Sequence, residues 1–275
     1  MKTEYSVDVH EVVREHYGKV ARTDGACGCG TGCCDATVNP STALGYGETE
    51  LAGLPAGADM GLGCGTPLAF AGIREGDTVL DLGSGGGIDC FLAAKQVGAS
   101  GRVIGVDMTA DMIAKARRNA ATVSAANVEF RLGEIEHLPL PDRTVDLIVS
   151  NCVINLSPDK PAVFREAFRV LKPGGRLAIA DIVTSAPLPA EIKNDPEALA
   201  GCIAGAPAVG DVEAALRAAG FTDISVEINA ASRSFIKGWN PGSGAENFVA
   251  SAAIRATRPA GDACCGGTAT AASCC

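Results

Sequence analysis

The stretch that most limits what this chain can become is Thr78-Val-Leu-Asp-Leu-Gly-Ser-Gly-Gly-Gly87, followed by Val103-Ile-Gly-Val-Asp107. An apolar run ends in an acid and a glycine-rich turn, and about twenty residues later a second apolar run ends in another acid. Runs this short and this uniformly apolar read as strands buried on both faces, which is the pattern of a parallel sheet covered by helices. Such a sheet presents strand ends and the N-terminus of the following helix to a nucleoside-containing ligand.

The same rhythm runs through the middle of the chain. Strands are predicted over 79–82, 102–106, 128–132, 145–150 and 176–182, and helices over 88–97, 110–121 and 160–170. Alternating strands and helices define an α/β fold, a mostly parallel sheet with helices on both faces. An amphipathic helix is expected over 7–22, with Val9, Val12, Val13, Tyr17 and Val20 on one face and Asp8 near its start. After Pro187-Leu-Pro189 the pattern gives a helical insertion over 192–206, a helix over 212–219 and strands over 224–228 and 248–255. The expected organisation is an N-terminal helix with Cys-rich loops (1–66), an α/β core (67–186), a substrate-binding insertion with the last strands (187–258), and a disordered Cys-containing tail (259–275).

Charge and cysteine usage narrow the function. A net charge of −9, without a Lys/Arg stripe, argues against a nucleic-acid partner. No signal-peptide pattern and no long apolar run is present, so no membrane partner and a cytoplasmic location are expected. Against that setting, twelve cysteines are unusual. Four lie together at Cys27, Cys29, Cys33 and Cys34, four at Cys264, Cys265, Cys274 and Cys275, and four are scattered as Cys64, Cys90, Cys152 and Cys202. In a reducing compartment, thiols outside the core point to soft-ion binding or redox chemistry rather than to a disulfide scaffold. The Cys27–Cys34 segment lacks the second ligand pair and the histidines of a zinc knuckle. Cys90, early in a helix, reads as a small core hydrophobe.

The glycine spacing separates two kinds of ligand. A dinucleotide site spaces its glycines G-x-G-x-x-G, but the third position counted from Gly83 is Ile88. Gly83, Gly85 and Gly87, preceded by Asp81, instead resemble the Rossmann-like S-adenosylmethionine-dependent methyltransferases. That resemblance implies a seven-stranded sheet and a cofactor site at Asp81, Gly83, Ser84, Gly85 and Gly87. It places the ribose hydroxyls on Asp107 beside Met108, the adenine amino group at Glu134 with the Ile135 backbone, and Asn151 on the substrate side of the cofactor. The helix N-terminus then serves the carboxylate of the methionine portion.

A narrower resemblance rests on Leu62-Gly-Cys-Gly65, Asp107-Met-Thr109, Ser150-Asn-Cys-Val-Ile-Asn-Leu-Ser-Pro-Asp-Lys160 and Gly201-Cys202. These stretches are similar to those of the arsenite methyltransferases, and the similarity runs to about residue 230 before weakening. It implies that Cys64, Cys152 and Cys202 hold trivalent arsenic, and that Cys33 or Cys34 takes part in binding or redox turnover. It also implies glutathione or thioredoxin as reductant. The chemistry agrees, since a soft, thiophilic centre calls for thiolates. Three thiolates leave the arsenic lone pair, which carries no proton, free to attack a sulfonium methyl. Neither a general base nor a metal cofactor is therefore expected, and none of the three histidines falls in these motifs. Two other readings remain at this point: a carbon- or oxygen-methyltransferase of a quinone-like molecule, and a non-enzymatic thiol-rich metalloid binder. The tail cysteine pairs are open between arsenical capture, disulfide relay and no role.

Overall fold

The computed structural model describes residues 8–23, 39–239 and 242–261. Seven strands form one sheet: β1 (Thr78–Leu82), β2 (Arg102–Asp107), β3 (Val128–Leu132), β4 (Val145–Asn151), β5 (Leu171–Thr184), β6 (Thr222–Asn229) and β7 (Val249–Thr257). Their order is β3-β2-β1-β4-β5-β7-β6, with β7 antiparallel to both neighbours and every other pairing parallel. The expected mostly parallel, seven-stranded α/β sheet is the one observed. Its central strands have solvent on neither side: Val79, Leu80, Leu82, Val145, Leu147, Ile148 and Val149 are all fully buried. Near-continuous apolar runs are what such strands require.

Helices α2 (Ile88–Val97), α3 (Ala110–Thr122) and α4 (Lys160–Val170) connect the parallel strands, and α5 (Val209–Ala219) precedes β6. The chain steps outward from β1 to β2 and β3, then returns to place β4 on the other side of β1. The carboxyl ends of β1 and β4 therefore border the crevice where strand order reverses, the place where open α/β sheets bind ligands. One glycine makes the first turn possible. A Cβ on Gly105 of β2 would lie 2.6 Å from the Phe130 ring and 2.7 Å from Ser84. Its absence lets the turn after β1 fold over β2, where the Gly83 and Ser84 amides donate to the Val106 carbonyl at 2.8 and 3.0 Å.

The first helix, α1 (Val9–Arg22), is capped by Asp8, which accepts from the His10 and Glu11 amides. Its buried residues Val9 and Val13 pack in one apolar cluster with Cys64, Leu156, Ile182, Cys202 and Ile203. The amphipathic stripe seen in the sequence thus faces the carboxyl end of the sheet. The insertion expected as a helix over 192–206 is broken instead. Two single turns, Ala190–Lys193 and Pro196–Ala200, are separated by Asn194 and Asp195, and the second stops at Gly201. Proline admits helix only in a first turn, and Asp195 caps that new start by accepting from the Glu197 amide at 2.9 Å. Helix α6 (Arg233–Trp239), between β6 and β7, was not foreseen. Its seven residues carry too short an apolar pattern to announce a helix. Among the described residues, no helix is long and apolar enough to cross a membrane.

Candidate active site

The crevice at the ends of β1 and β4 is a cavity lined by Asp81, Gly83–Gly86, Asp107, Met108, Ile135, Asn151 and Cys152, among others. Asp107 ends β2 and is fastened by two backbone donors, Gly85 N–H to Oδ2 at 3.0 Å and Thr109 N–H to Oδ1 at 2.8 Å. Each carboxylate oxygen accepts one of these bonds and has capacity for another, as two vicinal hydroxyls require. Burial raises the Asp107 pKa, and the Thr109 and Gly85 amides hold the rise back. Asp81 Oδ1 and Ser84 Oγ are buried in the same wall without a protein partner. Orphaned buried polar atoms call for a ligand that satisfies them, and a carboxylate oxygen beside a hydroxyl suits an ammonium. The donor set therefore fits S-adenosylmethionine at the amino-acid end as well as at the ribose.

The expected cofactor residues do not all reach the cavity. Gly87 caps α2 at φ 98°, and a Cβ there would meet the Phe91 ring at 2.7 Å and the Phe130 ring at 2.9 Å. It serves close packing under the loop, whereas the neighbouring Gly86 and Ile88 line the cavity. Glu134 is not among the residues lining the cavity; its carboxylate lies 3.2 Å from Arg14 on α1. Ile135 and Glu136 line the cavity in its place. Glu136 accepts from Ser157 Oγ and sits 3.1 Å from His10 Nε2. His10, Val13 and Tyr17 of α1 all face the cavity, so a histidine does stand at the site although none falls in a motif. Periodicity revealed the apolar face of α1, but what that face covers depends on long-range packing.

The thiols meet at the edge of this cavity. Cys64 Sγ, Cys152 Sγ and a carboxylate oxygen of Asp181 lie within 4.8 Å of one another, and all three residues are at least half-buried. The Gly-Cys-Gly turn is built for this approach. A Cβ on Gly63 would lie 2.8 Å from the Asn151 amide, and one on Gly65 would lie 2.9 Å from Ala180 Cβ. Asn151 clamps the turn: its Oδ1 accepts from Cys64 N–H at 3.0 Å, and its Nδ2 donates to the Gly65 carbonyl at 2.8 Å and to Tyr46 Oη at 2.9 Å. Tyr46 in turn donates to Asp89 at the start of α2. Asn151, expected beside the cofactor, thus lines the cavity and at the same time holds the Cys64 loop.

Cys152 and Cys202 both adopt left-handed backbone, at φ 58° and 62°. Non-glycine residues pay a conformational cost there and hold it only where surrounding structure fixes them. Cys152 N–H donates to the Ala180 carbonyl at 2.8 Å, and Cys202 Sγ donates to the Cys152 carbonyl at 2.7 Å. Cys202 is therefore adjacent to Cys152 but is not in the close set formed by Cys64, Cys152 and Asp181. Asn155 ties the two segments together, donating to the Ile182 carbonyl at 2.7 Å and to the Cys202 carbonyl at 3.1 Å. Cys33 and Cys34, like the tail cysteines, lie outside the described residues. Cys90 is fully buried in the core, where its Sγ donates to Asp81 Oδ2 at 3.3 Å.

Burial sets the protonation of this corner. It pushes the Cys64 thiol up to about 11 and raises Cys152 well above the ordinary thiol value, with the neighbouring thiols adding to the second shift. Asp181 is pushed up to about 6 by burial, moderated by the Ile182 amide and the Lys160 ammonium. Its Oδ2 accepts from the Ile154 and Asn155 amides at 3.0 and 3.3 Å, and its Oδ1 from the Ile182 amide at 2.8 Å. Asp181 gave no signal in the sequence. In Ala178-Ile-Ala-Asp181-Ile-Val it reads as an acid at the end of one more strand.

Comparison with known proteins agrees with this geometry. Residues 73–220 match a family described as a methyltransferase domain. An arsenite methyltransferase of Halobacterium salinarum is 48% identical over 93% of this chain and 68% of its own length. One from Aquipseudomonas alcaligenes is 43% identical over 78% of this chain and 62% of its own length. The crystal structure of an arsenic(III) S-adenosylmethionine methyltransferase from Chlamydomonas reinhardtii superposes with a TM-score of 0.61 at 36% identity, covering 82% of this chain and 75% of that one. The chain thus spans about two thirds of these two relatives. A methyltransferase sheet whose cofactor crevice opens onto converging cysteines, with this degree of identity, places the chain in the arsenite methyltransferase family.

Proposed function

We propose that the protein transfers the methyl group of S-adenosylmethionine to trivalent arsenic held by Cys64, Cys152 and Cys202, giving methylated arsenicals. The observation that carries this is the convergence of Cys64 and Cys152 at the rim of the cavity that Asp107 and the Gly83–Gly86 turn line. Cys152 belongs to both, so an acceptor bound on its sulfur faces the cofactor pocket. When bound, S-adenosylmethionine supplies an electrophilic methyl group on a sulfonium.

The chain's own residues do the rest. Cys64 and Cys152 rest protonated at neutral pH, since burial disfavours thiolate. As each binds arsenite, its proton leaves with a displaced hydroxide as water, and no net charge is stranded in the buried site. Asn151, Asn155 and the Gly63/Gly65 turn fix where the sulfurs point, which sets where the arsenic lone pair points. Alignment of reacting groups of this kind contributes about 7–11 kcal/mol to a displacement. The apolar cover from Val13, Leu62 and Leu156 keeps water from the sulfonium.

The thiols must be kept reduced, which assigns glutathione or thioredoxin as the reductant partner and a reducing compartment such as the cytoplasm as the setting. Cys33 or Cys34 takes part in substrate binding or in redox turnover. The test is arsenic speciation after incubating purified protein with arsenite, S-adenosylmethionine and a thiol reductant. Methylated arsenicals are expected. Cys152→Ser should abolish their formation while cofactor binding persists, and undiminished turnover in that variant would overturn the assignment.

A further inference from the structure

We infer that Cys64, Cys152 and Asp181 also form a binding site for a borderline-soft divalent cation of the zinc and cadmium type, which competes with the acceptor for the same two thiols. The three donor atoms lie within 4.8 Å of one another. A tetrahedral zinc ion, with bonds of about 2.3 Å to sulfur and about 2.1 Å to oxygen, needs its ligands ~3.8 Å apart for a sulfur pair and ~3.6 Å for sulfur and oxygen. Small side-chain rotations close that difference.

The carboxylate is free to take part. Asp181 Oδ2 already accepts two backbone hydrogen bonds, but Oδ1 accepts only one and retains a lone pair. Three protein ligands with the fourth position open towards a cavity is the arrangement of reactive zinc sites. Here the opening is the cofactor crevice, which Cys152 lines. Charge also balances well, since two thiolates and a carboxylate around a dication leave a single negative charge, and Lys160 acts electrostatically on Asp181. Binding requires both thiols to ionise, so two protons leave for the solvent with each ion taken up.

Asp181 is what separates the two kinds of guest. A carboxylate oxygen is a competent ligand for zinc, whereas trivalent arsenic selects sulfur. The competition rests on the arsenic reading, whereas zinc binding itself does not, because zinc is titrated with no arsenite present. The consequence for the enzyme is inhibition: an ion on Cys64 and Cys152 excludes an acceptor there, and a chelator restores access.

The experiment uses the full-length chain with the eight cysteines between positions 27–34 and 264–275 substituted by serine, so that only the body cysteines bind metal. Zinc chloride, and separately cadmium chloride, is titrated against a chromophoric chelator, with proton release measured in parallel. One ion per chain and two protons per ion are expected. Asp181→Asn should weaken zinc by about tenfold or more and leave arsenite affinity within about threefold. Cys202→Ser should retain zinc. No zinc binding by the background chain, or unchanged zinc affinity in Asp181→Asn, overturns the proposal. Equal loss of zinc and arsenite in Asp181→Asn also overturns it, because the carboxylate would then only hold the Cys152 loop through its backbone hydrogen bonds.

Discussion

Replacing Asn151 by alanine separates holding the cofactor from holding the thiol. Its side chain makes three hydrogen bonds, to Cys64 N–H, the Gly65 carbonyl and Tyr46 Oη, at 2.8–3.0 Å. Alanine leaves the first two, both backbone groups of the Cys64 turn, without that partner. An unsatisfied buried polar group costs about 1–3 kcal/mol, so the turn loses about 2–6 kcal/mol of local stability, less whatever entering water restores. The loss falls on the loop, because the sheet beneath it is unchanged. Each 1.4 kcal/mol spent re-forming the turn weakens binding about tenfold, so arsenite affinity should drop by about 10- to 100-fold once solvent compensation is included. Affinity for S-adenosylmethionine should stay within about threefold, since the groups proposed to hold its ribose and amino-acid ends, Asp107, Asp81 and Ser84, are untouched. Calorimetry measures both affinities, and the rate at which Cys64 is alkylated reports the loop directly and should rise. A tenfold loss of cofactor affinity with unchanged Cys64 labelling would refute this account of Asn151.

Three further outcomes follow from the same geometry. Asp107→Ala removes both acceptors at the end of β2 and should abolish measurable S-adenosylmethionine binding by calorimetry while arsenite still binds; unaltered cofactor affinity would show the ribose is elsewhere. Gly105→Ala forces a methyl group to within 2.7 Å of Ser84 and the Phe130 ring, so overpacking should cost about 1–3 kcal/mol in urea unfolding and displace the cofactor turn. Asp89, pushed by burial from 3.8 to about 6, keeps its proton in the folded state over that interval. Its contribution to stability is complete below the lower value and lost as pH rises through the upper one. The stability of Asp89→Asn relative to the parent should therefore rise by up to about 3 kcal/mol between pH 4 and pH 7, and a pH-independent difference in denaturant unfolding would contradict the assigned burial.

The strands, the glycine turn and the acid at the end of β2 were readable in the sequence because each is a local matter. A buried parallel strand has to be apolar throughout, and a chain turning from strand to helix under a ligand has to use glycine, so Val79–Leu82 and Gly83–Gly87 carry their own explanation. Cys64 and Cys152 were legible as well, since a thiol in a glycine turn or at a strand's carboxyl end is poorly placed to serve as core. Their mutual distance was not, because it is set by the crossover that puts β4 beside β1 and by the β5 residues beneath the Gly63–Gly65 turn. Glu134 was readable from its position after β3, but its contact with Arg14, 120 residues earlier, was not. Gly105 looked like one residue of a strand until the turn after β1 folded across it. Asp181 is the clearest case: its chemistry comes from Cys64 and Cys152, which are remote in sequence, and from the burial that only the folded sheet imposes. The sequence by itself determined the cofactor crevice and the supply of thiols. The tertiary structure alone decided which thiols meet, what stands beside them and which side chains aim them, because those are contacts between segments that share no local pattern.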